Sequence, residues 1–521
     1  MKRMLRQIAA LVCAAAVAVL PLRAGTAQER IVRIAITGTR SLDPLLASNI
    51  VDNRIAAIAF DLLVGVDDRG NPIPRLASRV PTLQNGDISR DGLSITYHLR
   101  HGVKWHDGVP FTSKDVAFSW AAIVNPKNNI ISRRGYDLVE RVDTPDDYTA
   151  IFRLKRRFAP AVLTFFSESD QPYRIVPEHI LGKLSDINDA DFNQHPIGTG
   201  PFKFVRWDRG NQIEYVANPD YYLGRPKLDG VIVKEVPDLN TQVVEMKTHA
   251  LDFMVLDSTS YEALEGVPFI KRSVTPINGY TAIMLNLASP ALHDVAVRRA
   301  LEMAIDKKAI AEKITRPTFA TATADLPAFM WAYDPHVRGY PFDPAAARKV
   351  LEPLHLSLVL IDGAGSMAGR QIDVLVQSML HNAGVNVELR YFAASLIIAP
   401  ADAGGPVRGG KFDLVDWGWV GGADPDDSSQ FTCDMLPPQG NNFAHYCDPA
   451  VDAAENIAVT SYDRAVRKRA YSVIERHLAG DVPMIFLWWP SIRLGYVSSL
   501  HGVRNNGITE TWNINEWWLD N

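Results

Sequence analysis

The side chains that most often carry hydrolytic chemistry do not occur in the spacings that such chemistry needs. The sequence contains no HExxH zinc motif, and Ala364 stands two residues before Ser366, where the GxSxG motif of a serine nucleophile has glycine. His98 and His101 are three apart in an alternating stretch, so we predict that they face opposite sides of a strand and do not share a metal ion. These spacings give no support for a zinc-dependent or serine-dependent hydrolase, and a secreted hydrolase of unknown type stays open as an alternative.

Residues 356–389 have the pattern of a nucleotide-binding unit: strand, glycine-rich turn, helix and strand. Gly363-x-Gly365-x-x-Ala368 satisfies the dinucleotide fingerprint, and Glu388 is an acid at the end of the second strand. A single GxGxxA is a weak signal, and the alternative is an ordinary turn whose backbone amides face a ligand. We favour that alternative and expect no cofactor.

The segment from 411 to 431 is the best candidate for contact with a small ligand. Its pattern predicts a strand, and we interpret Trp417 and Trp419 as lying on opposite faces, one in the core and one facing a cleft. The turn that follows is rich in glycine and acids, and Asp424 offers a carboxylate to a cationic group. A solvated acidic loop is the alternative interpretation of Asp424.

The elements that position such residues are clearest between Leu93 and Trp120. Apolar residues alternate from 95 to 99, which predicts a half-buried strand, and Gly108 follows in a tight turn. Thr112 and Asp115 have the spacing of a helix N-cap with a capping box. This stretch therefore predicts a strand, a turn and a capped helix without an obvious catalytic group.

The same stretch, HLRHGVKWHDGVPFTSKDVAFSW at 98–120, resembles the signature of a known family. The family is that of the extracytoplasmic solute-binding proteins, family 5, which serve ABC importers of the peptide/nickel type. The resemblance continues in order from about residue 31 to 503. It includes PIGTGPF at 196–202, which we interpret as a structural turn because it lacks the lysine of a phosphate-binding loop.

The resemblance implies an α/β fold of the two-lobed periplasmic binding protein type (type II), with an extra inserted domain and a hinge. Crossing strands near 280–287 and 484–496 are expected to form the hinge. The expected domains are a first lobe at 28–60, 195–286 and 491–521, an inserted domain at 61–194, and a second lobe at 287–490.

The resemblance also implies a function: a peptide-like solute binds in the interlobe cleft, stabilises the closed form and is delivered to the transmembrane subunits of an ABC permease. A nickel or other metal chelate, an opine and an oligosaccharide are the alternatives, and stacking on Trp417 or Trp419 would favour the sugar. We expect a monomer that is not an enzyme and does not bind nucleic acid.

Further site residues follow from the same resemblance. In dipeptide-binding relatives the residues after an SLDP-like loop lie along the ligand backbone, which here indicates Ser48 and Asn49. Capping of the next helix is the alternative for Asn49. Those relatives bind the ligand's ammonium with an aspartate that aligns near Gly422, whereas the first acid here is Asp424. This departure counts against strict dipeptide specificity.

The amino terminus predicts export. Three basic residues precede an apolar stretch at 8–20 that is too short to span a bilayer, and small residues at 25–27 suit cleavage after Ala27. We interpret 1–27 as a signal peptide and the mature protein as periplasmic. Removing this segment takes away four cations and no acid, so the formal net charge changes from −5 to −9. Such a surface disfavours nucleic acid.

The cysteines fit an exported protein. Cys13 lies within the signal peptide, so the mature chain retains Cys433 and Cys447. An even pair in an oxidising compartment predicts a disulfide, with two free thiols as the alternative. Members of the peptide-binding branch often have a cystine in the corresponding segment, which supports the pairing.

Overall fold

The computed structural model describes residues 29–47, 49–316 and 320–520. The predicted signal peptide at 1–27 lies outside these ranges. Within them, none of the helices combines the length and the apolar character needed to cross a bilayer.

The first lobe is formed by separate segments of the chain, because an inserted domain and then the second lobe come between them. It starts with β1 (Ile31–Ile36) and α1 (Ile50–Ala59). The inserted domain contains β2 (Val64–Val66), β3 (Pro72–Pro74), β4 (Ser94–His98), α2 (Ser113–Val124), β5 (Val139–Asp146), β6 (Thr149–Leu154), α3 (Ala161–Thr164) and α4 (Glu178–Leu181). The first lobe resumes with β7 (Phe202–Asp208), β8 (Gln212–Ala217), β9 (Gly230–Glu235), α5 (Leu239–Lys247), β10 (Phe253–Leu256), α6 (Ser258–Ala263) and β11 (Ile270–Pro276).

The second lobe follows, and the chain then returns to the first. The second lobe contains β12 (Gly279–Leu285), α7 (Val295–Ala304), α8 (Lys307–Ile314), α9 (Pro344–Leu351), β13 (Ser357–Ala364), α10 (Met367–Asn382), β14 (Asn386–Ala393), α11 (Ala394–Ile397), β15 (Leu414–Val420), α12 (Ser428–Phe431), α13 (Pro449–Thr460), α14 (Arg464–Asp481) and β16 (Met484–Trp488). The last strands are β17 (Ser491–Val497), β18 (Leu500–His501) and β19 (Trp518–Leu519).

Each lobe is organised around a mixed sheet. The first sheet has the order β11-β17-β10-β1-β9-β8-β7, and the second has the order β14-β13-β15-β12-β16. One apolar core runs through the first lobe and the inserted domain, whereas the second sheet has a separate core on each face. Because the inserted domain shares its core with the first lobe, we expect these two to move as one body.

The local predictions for the signature stretch are confirmed. Strand β4 alternates, with Ile95 and Tyr97 buried, and Gly108 has a φ of 94° in the turn that follows. Thr112 is the N-cap of α2 with a capping box, in which its backbone N–H donates to Asp115 Oδ2 at 2.8 Å. These features are local in sequence, which is why the pattern of residues was sufficient to predict them.

The two lobes are joined by two crossings of the chain, between β11 and β12 and between β16 and β17. Strand β12 pairs with β15 and β16, so residues 279–285 belong to the second sheet. The predicted boundary at 287 placed these residues in the first lobe, which was wrong. The sequence gives no local signal of the correct sheet, because the strands that pair with β12 lie far along the chain. The other predicted domain boundaries stay predictions.

The predicted disulfide between Cys433 and Cys447 is present. The bond closes a short loop within the second lobe, between α12 and α13. We expect replacement of both cysteines by serine to lower the free energy of unfolding by about 3 kcal/mol, because the open chain gains entropy when it unfolds. Urea unfolding of the oxidised protein and of the double variant measures the difference. Equal midpoints would show that the bond contributes nothing to stability.

Candidate functional site

The turn predicted to contact ligand lies at the contact between the second lobe and the inserted domain. Strand β15 leads to this turn, and the backbone N–H of Ala423 donates to the carbonyl of Glu168 at 2.9 Å. Gly422 packs so closely on Ser169 that a Cβ there would come within 2.5 Å of the Ser169 Cα. The Asn278 amide, next to the hinge, donates to the Gly422 carbonyl at 2.9 Å. The turn therefore lies where the hinge brings the two bodies together.

The two tryptophans of β15 lie on the same face of the strand. Both pack against the core that includes Tyr280, and the prediction that they lie on opposite faces was wrong. Side chains two residues apart in a strand project to the same side. Trp417 meets Phe443 edge to face, with 5.3 Å between ring centroids. Trp419 also lines a small cavity between the bodies.

This small cavity has a volume of about 30 Å³ and an unbalanced set of charges. Arg134, from the inserted domain, lies 2.7 Å from the Asp426 carboxylate and 3.9 Å from that of Asp170. Burial raises the pKa of Asp170, and Arg134 opposes the rise. One guanidinium thus faces two carboxylates, so the cavity favours a cationic group.

Asp424 also lines the small cavity, but its charge is already neutralised. Arg467 on α14 donates to both of its oxygens, at 2.5 and 2.9 Å, and both side chains are buried. A cation from the ligand would have to compete with this guanidinium. The predicted contact between Asp424 and ligand stays a prediction, and Asp170 and Asp426, which share one guanidinium, are less completely neutralised.

A larger cavity of about 350 Å³ lies beside the small one. The two share Arg134, Phe158 and Asp426, and the larger cavity is lined by the inserted domain on one side and the second lobe on the other. Its volume falls within the range of roughly 300–1,000 Å³ typical of small-molecule sites. Its other charged residues are Arg133, Asp137, Arg156 and Arg408.

Ser48 and Asn49, near the amino terminus, were predicted to contact the ligand. The Asn49 side chain accepts hydrogen bonds from the backbone N–H groups of Val51 at 2.9 Å and Asp52 at 3.0 Å, so it caps α1. This favours the capping alternative, and its contact with ligand stays a prediction. Ser48 lies outside the described residues.

The glycine-rich turn at 363–366 connects β13 to α10 as predicted. Ser366 caps the helix, and its hydroxyl accepts from the Gly369 N–H at 2.9 Å. A phosphate would need the free backbone N–H groups at this end of α10, and the N–H of Gly369 is already bonded to Ser366. The arrangement fits the ordinary turn that we favoured over a nucleotide site.

Residues 71–442 match the family model described as bacterial extracellular solute-binding proteins, family 5 middle. The chain belongs to this family. The family 5 assignment agrees with the resemblance of the signature stretch and with the two-lobed fold. The inserted domain and the cavities beside it lie largely within the matched range.

This family 5 protein is similar to named relatives over most of its length. It is 26% identical to the oligopeptide-binding protein AppA of Bacillus subtilis over 91% of this chain and 88% of AppA. It is 28% identical to the di/tripeptide-binding protein 2 of Pseudomonas aeruginosa over 80% of this chain and 82% of that protein. The solved structure of NikZ from Campylobacter jejuni with Ni(L-His) superposes with a TM-score of 0.79 at 26% identity, covering 94% of this chain and 99% of NikZ.

Proposed function

We propose that this family 5 protein is the extracytoplasmic substrate-binding component of an ABC importer and that its ligand is a peptide-like solute. The observation that carries the proposal is the pair of adjoining cavities between the inserted domain and the second lobe. They lie at the contact that a hinge motion would open, so a ligand can enter and then be enclosed there.

The charges of the two cavities suit a zwitterionic chain. Asp170 and Asp426 share one guanidinium in the small cavity, which leaves one negative charge for an ammonium group. The larger cavity contains Arg133, Arg156 and Arg408, whose guanidinium groups suit carboxylates and backbone carbonyls. A peptide can present its amino terminus to the first set and its carbonyls to the second. The named peptide-binding relatives support the same ligand class.

The direct contacts between the bodies include polar ones, which can be exchanged for water when the cleft opens. Besides the Arg134–Asp426 ion pair, the Tyr462 hydroxyl lies 3.3 Å from the Phe158 carbonyl, and the Ala159 N–H donates to the Val459 carbonyl at 2.6 Å. A ligand that touches both bodies adds contacts only in the closed form. Its differential affinity then shifts the population toward closure.

We infer that the mature protein acts outside the cytoplasm, in the periplasm, after loss of residues 1–27, and that it delivers its ligand as a monomer to permease subunits. The family assignment supports the location and the permease. We also infer that the ligand is released chemically unchanged, because the chain lacks the hydrolase motifs considered above. Amino-terminal sequencing of the exported protein checks the cleavage site.

The tryptophans provide a matched test of the site. We expect Trp419→Ala to weaken peptide binding about tenfold or more, because Trp419 lines the small cavity, whereas Trp417→Ala should change affinity less. Calorimetric titration with a panel of short peptides measures both effects, and circular dichroism checks that the variants fold. Unchanged affinity in both variants would place the ligand elsewhere. Binding of a nickel–histidine chelate in preference to every peptide would replace the proposed ligand class.

A further inference from the structure

Three carboxylates meet in the second lobe, away from the interlobe cavities. Asp362 lies near the end of β13 and Asp416 lies in β15, and these strands are parallel with Ile361 opposite Val415. The next residue of each strand is the aspartate, so the two carboxylates are neighbours on the face covered by α10. Asp373 comes from α10, and one oxygen of each of the three lies within 4.8 Å of the others.

The carboxylate of Asp373 is enclosed and has no partner to neutralise it. The residue is only 1% exposed, and no described residue donates a well-formed hydrogen bond to either of its oxygens, although the Tyr391 hydroxyl is near enough to interact with the carboxylate. The buried Oδ2 of Asp362 also lacks a donor among them, whereas its Oδ1 accepts from the Gly363 N–H at 2.6 Å. Within the described chain, no lysine, arginine or histidine lies within 4.0 Å of any of the three carboxylates. The carboxylate oxygens of Asp373 thus lie beside two further carboxylates, those of Asp362 and Asp416, without a cation to balance the charge.

The surrounding charged groups do not compensate for this arrangement. Burial raises the pKa of Asp362, and Arg370 opposes that rise only in part. The Arg370 guanidinium lies over the Tyr391 ring, 5.2 Å from the centroid. Burial and the neighbouring Asp362 raise the pKa of Asp373 to about 7, and the Tyr391 hydroxyl opposes that rise. Burial and the other two aspartates raise the pKa of Asp416 well above its ordinary value. Three carboxylates thus lie together with no cationic side chain paired to them among the described residues, an arrangement that a bound cation would stabilise.

We propose that Asp362, Asp373 and Asp416 bind one divalent cation that prefers oxygen ligands, of the class of Ca²⁺, Mg²⁺ and Mn²⁺. Three carboxylates without nitrogen or sulfur donors are the ligand set that such hard ions prefer. Asp362 and Asp416 are only half-buried, so an ion can reach the enclosed Asp373 from the surface. The ion would tie β13, β15 and α10 together close to the glycine-rich turn.

The test uses Mn²⁺ as the probe on full-length mature protein that has been treated with a chelator. Electron paramagnetic resonance counts the free ion during titration, and Ca²⁺ and Mg²⁺ are added as competitors. We expect one bound Mn²⁺, displaced by one of the competitors, and at least roughly tenfold weaker binding in Asp373→Asn.

Two further variants decide between sites. Asp362→Asn changes a half-buried member and should also weaken binding, which keeps the test valid if Asp373→Asn fails to fold. His477→Gln is the control, because Asp448, His477 and Asp481 form a second possible ligand group. It should leave binding unchanged. No Mn²⁺ binding by the natural sequence, or binding lost only in His477→Gln, would overturn the proposal and leave the three aspartates to share protons.

Discussion

Replacing Gly198 by alanine is expected to destabilise the protein by more than about 4 kcal/mol, because no space exists for the added methyl group. A Cβ on Gly198 would lie 1.8 Å from the carbonyl oxygen of Ala59, the last residue of α1. That carbonyl is fixed, since it accepts from the Gly200 N–H at 2.9 Å. On the other side, the Gly198 carbonyl accepts from the His106 N–H at 2.9 Å. Neither backbone can move without breaking these bonds.

Urea unfolding measures this effect, and Gly480→Ala is the matched control. Gly480 lies in α14, and a Cβ there would have no atom within 4 Å. Alanine also favours a helix over glycine, so we expect this variant to be as stable as the natural sequence or slightly more stable. Equal unfolding midpoints for Gly198→Ala and the natural sequence would contradict the close approach to α1.

Breaking the ion pair between Asp424 and Arg467 is expected to have a comparable effect. Arg467→Met should lower the free energy of unfolding by about 3–5 kcal/mol, because it leaves the carboxylate of Asp424 buried without its cation. Both side chains are only 9% exposed, so water screens the pair little. Thermal and urea unfolding of the oxidised protein measure the loss.

A double variant and an exposed pair provide the controls. Asp424→Asn together with Arg467→Met removes both charges, so it should be less destabilising than the sum of the single changes. Arg348→Met, on α9, breaks an exposed pair with Glu352, the residue that follows this helix, so it should leave the stability almost unchanged. A loss for Arg467→Met as small as that for Arg348→Met would show that the Asp424 pair is not buried in solution.

Features that depend on neighbouring residues were predictable from the sequence. The alternation around Ile95 and the capping box at Thr112 involve residues within one strand or one helical turn, and both occur as predicted. The disulfide was also predictable, because Cys433 and Cys447 are the two cysteines left after the predicted cleavage.

Features that depend on distant residues were not predictable. Arg467 lies 43 residues from the aspartate that it neutralises, in a helix with several arginines, and its sequence does not distinguish it from the others. Arg134 is 292 residues from Asp426, so the sequence did not predict that it pairs with the acid-rich turn that contains Asp426. Trp417 and Trp419 lie on one face of β15 because side chains two residues apart in a strand project to the same side, so the prediction of opposite faces was wrong.

The most direct test of reversible binding is native mass spectrometry of the mature protein incubated with a pool of short peptides. We expect a one-to-one complex whose added mass equals an intact peptide, and recovery of that peptide unchanged after the protein is denatured. A complex with no peptide in the pool, or recovery of cleaved fragments in place of the bound peptide, would contradict it.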